Sequence, residues 1–286
     1  MMFRIVKKEE LAKEITKLSI EAPQIAQKAK AGQFVVLLLN EQGERIPLTL
    51  SDWDKHNGTI TLIFQKAGFS TKQLGSLEIG DSVGHILGPL GHRTDIQNIG
   101  QVYCIAGGVG IAEIYPVSKA FKEAGNRVLT ILGSRSKELL ILEKELRNTC
   151  DELFIATDDG SYGRKGVVTD ILKELLTVVE QSATSRYPDM VYAIGPVKMM
   201  KAVSELTKDY GIKTVVSLNP IMVDATGMCG SCRCKIEGKT VFACVEGPDF
   251  NGHKVDFTEL EKRLRLFEDK EKICVEKSLN SQSNSG

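Results

Sequence analysis

Hydrophobic and polar positions change their rhythm twice along this chain. Up to about residue 98 the apolar side chains come in short, β-branched runs: "RIVKKEEL", "KEITKLSIEA", "GQFVVLLLN", "RIPLTLSDWD", "GTITLIFQKA" and "GDSVGHILGPLG". Gly, Asn and Asp turns separate them. Runs of this length and spacing predict short strands that close into a small antiparallel β-barrel. The stretch "STKQLGSLEIG" at 70–80 interrupts the series and predicts one short helix.

From residue 99 the pattern alternates. "QVYCIAGG", "RVLTILGSR", "ELFIATDDGS", "DMVYAIGP" and "IKTVVSLNP" are strand-like. Between them "AEIYPVSKAFKEAG", "SKELLILEKELRNTC", "GVVTDILKELLTVVEQ" and "VKMMKAVSELTKDYG" carry a helical period. Strands alternating with helices predict an α/β unit, a doubly wound parallel sheet. "SATSRYP" at 182–188 reads as a surface loop. After residue 220 the alternation stops. A cysteine-rich segment follows, then a hairpin turning at Gly238, then a charged helix over "TELEKRLRLFEDKEKICVEKSL". The polar end "NSQSNSG" predicts disorder. The expected division is 1–98, 99–220 and 221–286.

Composition narrows the function classes. The chain has 286 residues, with 37 Lys plus Arg against 37 Asp plus Glu. A chain with no basic surplus is not expected to bind nucleic acid. No apolar run approaches the roughly 18 residues of a membrane span; "FVVLLL" at 34–39 has strand length. The first residues lack a signal-peptide core, so the expectation is a cytoplasmic protein. In that compartment its 7 cysteines point to ligands or plain thiols rather than to structural disulfides.

Glycine-containing turns end four of the strand-like runs. "CIAGGVGIAE" places Gly107, Gly108 and Gly110 before Ile111. "LGSR" offers Ser134 and Arg135, "TDDGSYGRKG" Asp158 and Asp159, and "AIGP" Gly195 and Pro196. In an open α/β sheet these turns converge on the carboxyl edge, where helix N-termini and permissive glycines receive phosphates. A dinucleotide is the expected ligand. Arg135 would contact a ribose or its phosphate. In the barrel, "RIPLT" and "GFST" supply an arginine near Thr49 and a glycine before Ser70 and Thr71, a candidate second pyrophosphate site.

"MVDATGMCGSCRC" at 222–234 carries the most specific signal. A plant-type [2Fe–2S] site spaces its ligands C-x4-C-x2-C, with a distant fourth cysteine. Here the pattern is Asp224-x4-Cys229-x2-Cys232, then Cys244. Asp224 stands where the first cysteine would be, and its carboxylate is a plausible ligand to ferric iron. Cys234 is the competing donor, and a structural zinc site is the alternative use of the thiols. Cys104, Cys150 and Cys274 read as packed or surface thiols. His56, His85, His92 and His253 form no pair with ligand or triad spacing, and no dedicated acid–base residue is expected.

Taken together these motifs resemble the ferredoxin–NADP reductase superfamily, in which a flavin-binding barrel precedes a nicotinamide-binding domain. The resemblance implies FAD contacts at Arg45, Pro47, Leu48, Thr49, Ile63 and Phe64, with the pyrophosphate at Gly68, Ser70 and Thr71. It implies NAD(H) at "GGVGIA" and at Gly195-Pro196. Arg45 precedes Thr49 by four residues where the family has three, and Gly195 stands where many members have cysteine. With its cysteine tail the chain is most similar to the small subunits of NADH-dependent reduced ferredoxin:NADP oxidoreductases. The electron-transfer subunits of dihydroorotate dehydrogenase B share the layout and are the alternative; a flavin- and metal-binding regulatory module without turnover is the second. The first resemblance implies Asp224, Cys229, Cys232 and Cys244 as cluster ligands. It also implies a heterodimer with a larger flavin and iron–sulfur subunit, similar to the glutamate synthase small subunit, which would hold the NADP site, bifurcate electrons and serve ferredoxin indirectly. The absence of a clear second basic residue after "GSR" favours NAD over NADP on the present chain.

Overall fold

The computed structural model describes residues 3–41, 43–182, 186–270 and 273. Strands β1 (Phe3–Ala12), β2 (Ile15–Glu21), β3 (Phe34–Leu38), β4 (Arg45–Asp54), β5 (Thr59–Gln65), β6 (Ser82–Val83) and β7 (His85–Leu90) pair antiparallel in the order β6-β1-β2-β5-β4-β3-β7. The outermost strands of that order, β6 and β7, are joined through Gly84 alone. The sheet must therefore curl until its edges meet, which makes the predicted barrel. Leu18, Leu37, Leu50, Leu62, Phe64 and Leu74 fill its interior. Helices α1 (Pro23–Lys28) and α2 (Phe69–Ser76) accompany it. The first was not expected: six residues are too short for a helical period to register.

The second sheet holds β8 (Gln101–Gly107), β9 (Arg127–Ser134), β10 (Glu152–Thr157), β11 (Arg164–Lys165), β12 (Met190–Ile194) and β13 (Thr214–Ser217). The helices are α3 (Ile111–Glu123), α4 (Glu143–Arg147), α5 (Val168–Glu180) and α6 (Val197–Asp209). Its strands are parallel and run β11-β10-β9-β8-β12-β13, so the winding reverses between β8 and β12. That crevice is the topological switch point of a doubly wound sheet. One expected helix is not continuous. Over 136–150 the chain makes a single 3₁₀ turn, then breaks at Leu142 with φ at +54° before α4. A regular helix would spread "LLIL" around its circumference; the break buries both Ile141 and Leu142.

The third segment contributes β14 (Arg233–Ile236), β15 (Lys239–Phe242), α7 (Ala243–Glu246), β16 (Asp249–Asn251) and α8 (Phe257–Leu264). β14 and β15 form the hairpin, with Gly238 in the left-handed region. β16 returns to the second sheet and pairs antiparallel with β13. A three-residue strand has no legible period, so this return was not anticipated. The expected terminal helix stops at Leu264, turns over 265–267 and resumes at 268–270. Cys274, the polar tail 280–286 and part of the 182–188 loop lie outside the described residues. Among the described residues no helix is long and apolar enough to cross a membrane.

The three segments meet at one polar junction. The Thr94 hydroxyl donates to Asp249 Oδ2 at 2.7 Å and the Tyr192 hydroxyl to Oδ1 at 2.7 Å. The His92 N–H donates to the Gly247 carbonyl at 2.7 Å. Burial pushes the Asp249 carboxyl above its usual range, against the lowering effect of the Thr94, Tyr192 and Ser217 hydroxyls.

Candidate functional site

The carboxyl ends of β8, β9, β10 and β12 surround a cavity of about 610 Å³. Of the residues expected there, Gly107, Gly108, Gly110, Ser134, Arg135, Asp158, Gly195 and Pro196 line it. The backbone geometry explains two of the glycines. Gly195 has φ at +148°, and a Cβ there would stand 2.9 Å from the Gly107 carbonyl oxygen. The two strand ends can therefore approach only without a side chain. Gly108 has φ at +58°, and a Cβ there would meet nothing within 4 Å. It would project into open space, the room a bound group requires beside a helix N-terminus. Ile111 and Asp159 stand elsewhere. Ile111 is fully buried in the core behind the sheet. Asp159 accepts hydrogen bonds from the Ser161 N–H and hydroxyl.

The barrel closes the other side. On β4 Arg45 is exposed, while Pro47, Leu48 and Thr49 are half-buried. Ile63 packs with the second sheet's core, and the Phe64 side chain fills the barrel interior, so Phe64 presents only its backbone outward. Gly68 caps α2. Thr71 accepts the Gly68 N–H at 3.0 Å and donates to its carbonyl at 3.1 Å, while Ser70 donates to Glu44 at 2.8 Å. A Cβ on Gly68 would also meet open space, so the α2 N-terminus is open to a phosphate as the GGVG turn is.

Glu113 joins the two sides and was missed in the sequence. It lies in the first turn of α3, lines the cavity and stands beside Thr49 of β4. Burial pushes its carboxyl up to about 7, the nearby Asp249 adds to the rise, and the Thr49 hydroxyl opposes it. The available signal was a charged residue inside the otherwise apolar stretch "IAEIYPV". Lys198 and Asn219 also line the cavity and were not foreseen.

The cysteine loop runs from Asp224 to β14. The Asp224 carboxylate accepts the Thr226 N–H at 2.9 Å on one oxygen and the Cys229 N–H at 3.1 Å on the other. These bonds, the Thr226 one first, hold its carboxyl below the usual range. The Ser231 N–H points at Cys229 Sγ, 3.5 Å away, and draws that thiol down. Cys232 and Cys244, both buried, bring their sulfurs to 3.1 Å. The donors thus fall into two pairs, Asp224 with Cys229 and Cys232 with Cys244. Backbone N–H groups aimed at anionic donors are the environment an iron–sulfur cluster needs. Cys234 is buried, its thiol leans on the Cys232 carbonyl at 3.6 Å, and the groups acting on it are the Cys232 thiol, then Arg263 and Glu259 of α8. A zinc ion takes four donors about one centre; among the described residues no three His, Cys, Asp or Glu gather as a set for one ion. Cys104 is buried behind the second sheet with its thiol pushed up to about 12, and Cys150 is half-buried.

Comparison with known proteins agrees with this layout. Residues 104–205 match the oxidoreductase NAD-binding domain family, and residues 219–256 match the iron–sulfur cluster binding domain of dihydroorotate dehydrogenase B. The chain is 43% identical over 281 residues to the dihydroorotate dehydrogenase B electron transfer subunit homolog of Thermotoga maritima, covering 98% of this chain and 97% of that protein. It is 33% identical to the dihydroorotate dehydrogenase B (NAD(+)) electron transfer subunit of Enterococcus faecalis, over 89% of this chain and 97% of the other. A chain from a structural study of the NADH-dependent reduced ferredoxin–NADP oxidoreductase and flavin-based electron bifurcation superposes with a TM-score of 0.91 at 41% identity, covering 98% of both chains. The chain therefore belongs to the family of dihydroorotate dehydrogenase B electron-transfer subunits and their homologues, oxidoreductase subunits that join an NAD-binding domain to an iron–sulfur domain.

Proposed function

We propose that this chain passes electrons between NAD(H), FAD and a [2Fe–2S] cluster as the NAD-side subunit of an electron-bifurcating ferredoxin:NADP oxidoreductase. The observation that carries the reading is spatial. The cavity at the β8–β12 switch point is lined by Ile15 and Gln65 of the barrel together with Glu113 and the GGVG turn, and the junction at Asp249 ties both to the segment bearing Cys244. A nicotinamide exchanges two electrons as hydride, a cluster exchanges one, and a flavin between them supplies the conversion. The chain's own part is to bind, orient and exclude water. The GGVG turn and Gly195 would receive the nicotinamide nucleotide. Thr49 and the α2 N-terminus would receive FAD, with residues 1–98 as its domain. Asp224 and Cys229 would hold one iron, Cys232 and Cys244 the other, within residues 221–286.

The full-length similarity to the bifurcating enzyme's chain favours this reading. The dihydroorotate dehydrogenase B reading is the second, favoured by the relatives of that name. In either case the chain works as one subunit of a larger assembly. The finer proposal is a heterodimer in the cytoplasm with a larger flavin and iron–sulfur subunit resembling the glutamate synthase small subunit. The subunit that co-purifies with the chain decides between the two. A pyrimidine-oxidising flavoprotein as partner would overturn the first. Stopped-flow mixing with NADH tests the core of both, because a regulatory module without hydride transfer would leave the flavin absorption unbleached.

Two further results are expected. Asp224→Cys retains a [2Fe–2S] centre with a changed EPR spectrum and potential, since a thiolate replaces a harder oxygen donor. If Asp224→Ala leaves cluster content, spectrum and potential as they are, Asp224 is no ligand. NADH bleaches the flavin about tenfold faster than NADPH at equal concentration, a difference of about 1.4 kcal/mol. The exposed Asp158 carboxylate lines the cavity beside Arg135 and opposes a 2′-phosphate. Equal rates, or faster bleaching by NADPH, would reverse the assignment.

A further inference from the structure

Oxidation of NADH to NAD⁺ yields two electrons and one proton. If the electrons leave singly for an iron–sulfur centre, the proton needs a base in the same site. Histidine does not supply it: His253 is engaged with Thr207 at 3.1 Å, and His56, His85 and His92 are exposed and line no part of the cavity. Glu113 is the carboxyl group set between the two ligand sites. Its helix is packed against β4, which carries Thr49 beside it, and it faces the cavity on its other side.

We propose that Glu113 is the proton-holding group of this site, taking up the proton set free as NADH is oxidised and the two electrons pass singly to the [2Fe–2S] centre. On oxidation of NADH the nicotinamide C4–H bond would break and an O–H bond would form on the Glu113 carboxylate, while the two electrons would leave one at a time through the cluster to a one-electron acceptor in the partner subunit. The proton then leaves to water through the cavity mouth. The inference rests on the reading that places flavin at Thr49 and nicotinamide at the GGVG turn.

The electrostatic surroundings favour this role. Among the described residues the groups acting on Glu113 are the Thr49 hydroxyl and the Asp249 carboxyl, and no cation. A carboxylate that is half-buried without a positive partner is a stronger base than one in water. Its titration then falls at working pH, where a proton-transfer group is most effective. The other ionisable groups on packed elements face other parts of α3. Asp52 of β4 and Glu145 of α4 act on Tyr115, Cys104 of β8 stands beside Ser118, and Tyr192 of β12 contacts Phe121. Arg135, Asp158 and Lys198 share the cavity.

The test uses the complete chain loaded with FAD and cluster, as wild type, Glu113→Gln and Glu113→Asp. Visible spectra should show equal flavin and cluster content in all three. Infrared difference spectra, NADH-reduced minus oxidised, should contain a protonated-carboxyl C=O band in wild type that is lost in Glu113→Gln and shifted in Glu113→Asp. The pH profile of cluster reduction by NADH should break in wild type where burial places the Glu113 carboxyl, at about 7. Glu113→Gln should lose the break and run at least about tenfold slower, while Glu113→Asp keeps a displaced break. If Glu113→Gln retains the band, or the profile, Glu113 does not hold the proton. If NADH bleaches no flavin even in wild type, the placement of the cofactors fails and the proposal with it.

Discussion

Cys244→Ala strips the purified chain of its iron–sulfide absorption and leaves its flavin absorption in place. The side chain sits in the short α7 directly after the β14–β15 hairpin, and its sulfur lies 3.1 Å from that of Cys232. Its position is set by packing, since Ala243 and Cys244 are both buried against the hairpin. A cluster with two irons needs two donors on each, so loss of one member of the buried pair exposes an iron to water and exchange. Iron content should fall from about two per chain to near zero. The flavin should still be bleached by NADH, because the barrel and the switch-point cavity are untouched. Reduction of a one-electron acceptor downstream of the cluster should be lost. Cys234→Ser provides the contrast: its thiol is buried toward α8 and should leave cluster content intact. A brown Cys244→Ala protein, or a colourless Cys234→Ser protein beside it, reverses the ligand assignment.

Asp249→Leu is expected to be the most destabilising single change at the junction. The side chain accepts from Thr94 and Tyr192, and the Ser217 hydroxyl acts on it too. Tyr192 is among the largest fully buried side chains of the protein. An apolar replacement leaves these hydroxyls without their acceptor, at a cost on the order of 3 kcal/mol, or a fall in Tm of roughly 5–10 °C. Asp249→Asn keeps one acceptor oxygen and should lose less than half as much. It also carries a pH signature. The folded chain holds the Asp249 proton to higher pH than the unfolded chain does, because burial raises the carboxyl above its ordinary 3.8. Between those two values the folded state binds more protons, so wild-type stability falls as pH rises. Asp249→Asn removes that contribution, and its deficit should shrink from low pH to neutral pH. Melting curves across that range check the sign; a deficit that grows with pH would show that the carboxylate, rather than the acid, is the form the junction stabilises. The same variants report on function, since the junction spans all three segments. Asp249→Leu should slow electron passage from flavin to cluster more than bleaching of flavin by NADH.

Much of this protein is legible in its order of residues because the relevant signals are local. The alternation of strand-like and helical periods over 99–220 determines a doubly wound sheet, and "AGGVG" and "AIGP" must then fall at its carboxyl edge, where the cavity is found. Spacing alone brings Asp224, Cys229 and Cys232 into one loop, where the Cys229 N–H reaches Asp224 and the Ser231 N–H reaches Cys229 Sγ. The sequence by itself could not choose between Cys234 and the remaining donors. Which face of β14 meets α8 and which meets the loop is a matter of packing, not of spacing along the chain. Nor does any local pattern announce that Glu113 of α3 would stand beside Thr49 of β4, that β16 would return to β13, or that Asp249 would meet Thr94 and Tyr192. Periodicity and spacing are properties of neighbours along the chain. A buried carboxyl's partners are set by how separately formed sheets and helices come to rest against each other, and that arrangement is what desolvates Glu113 and Asp249 and raises both carboxyls.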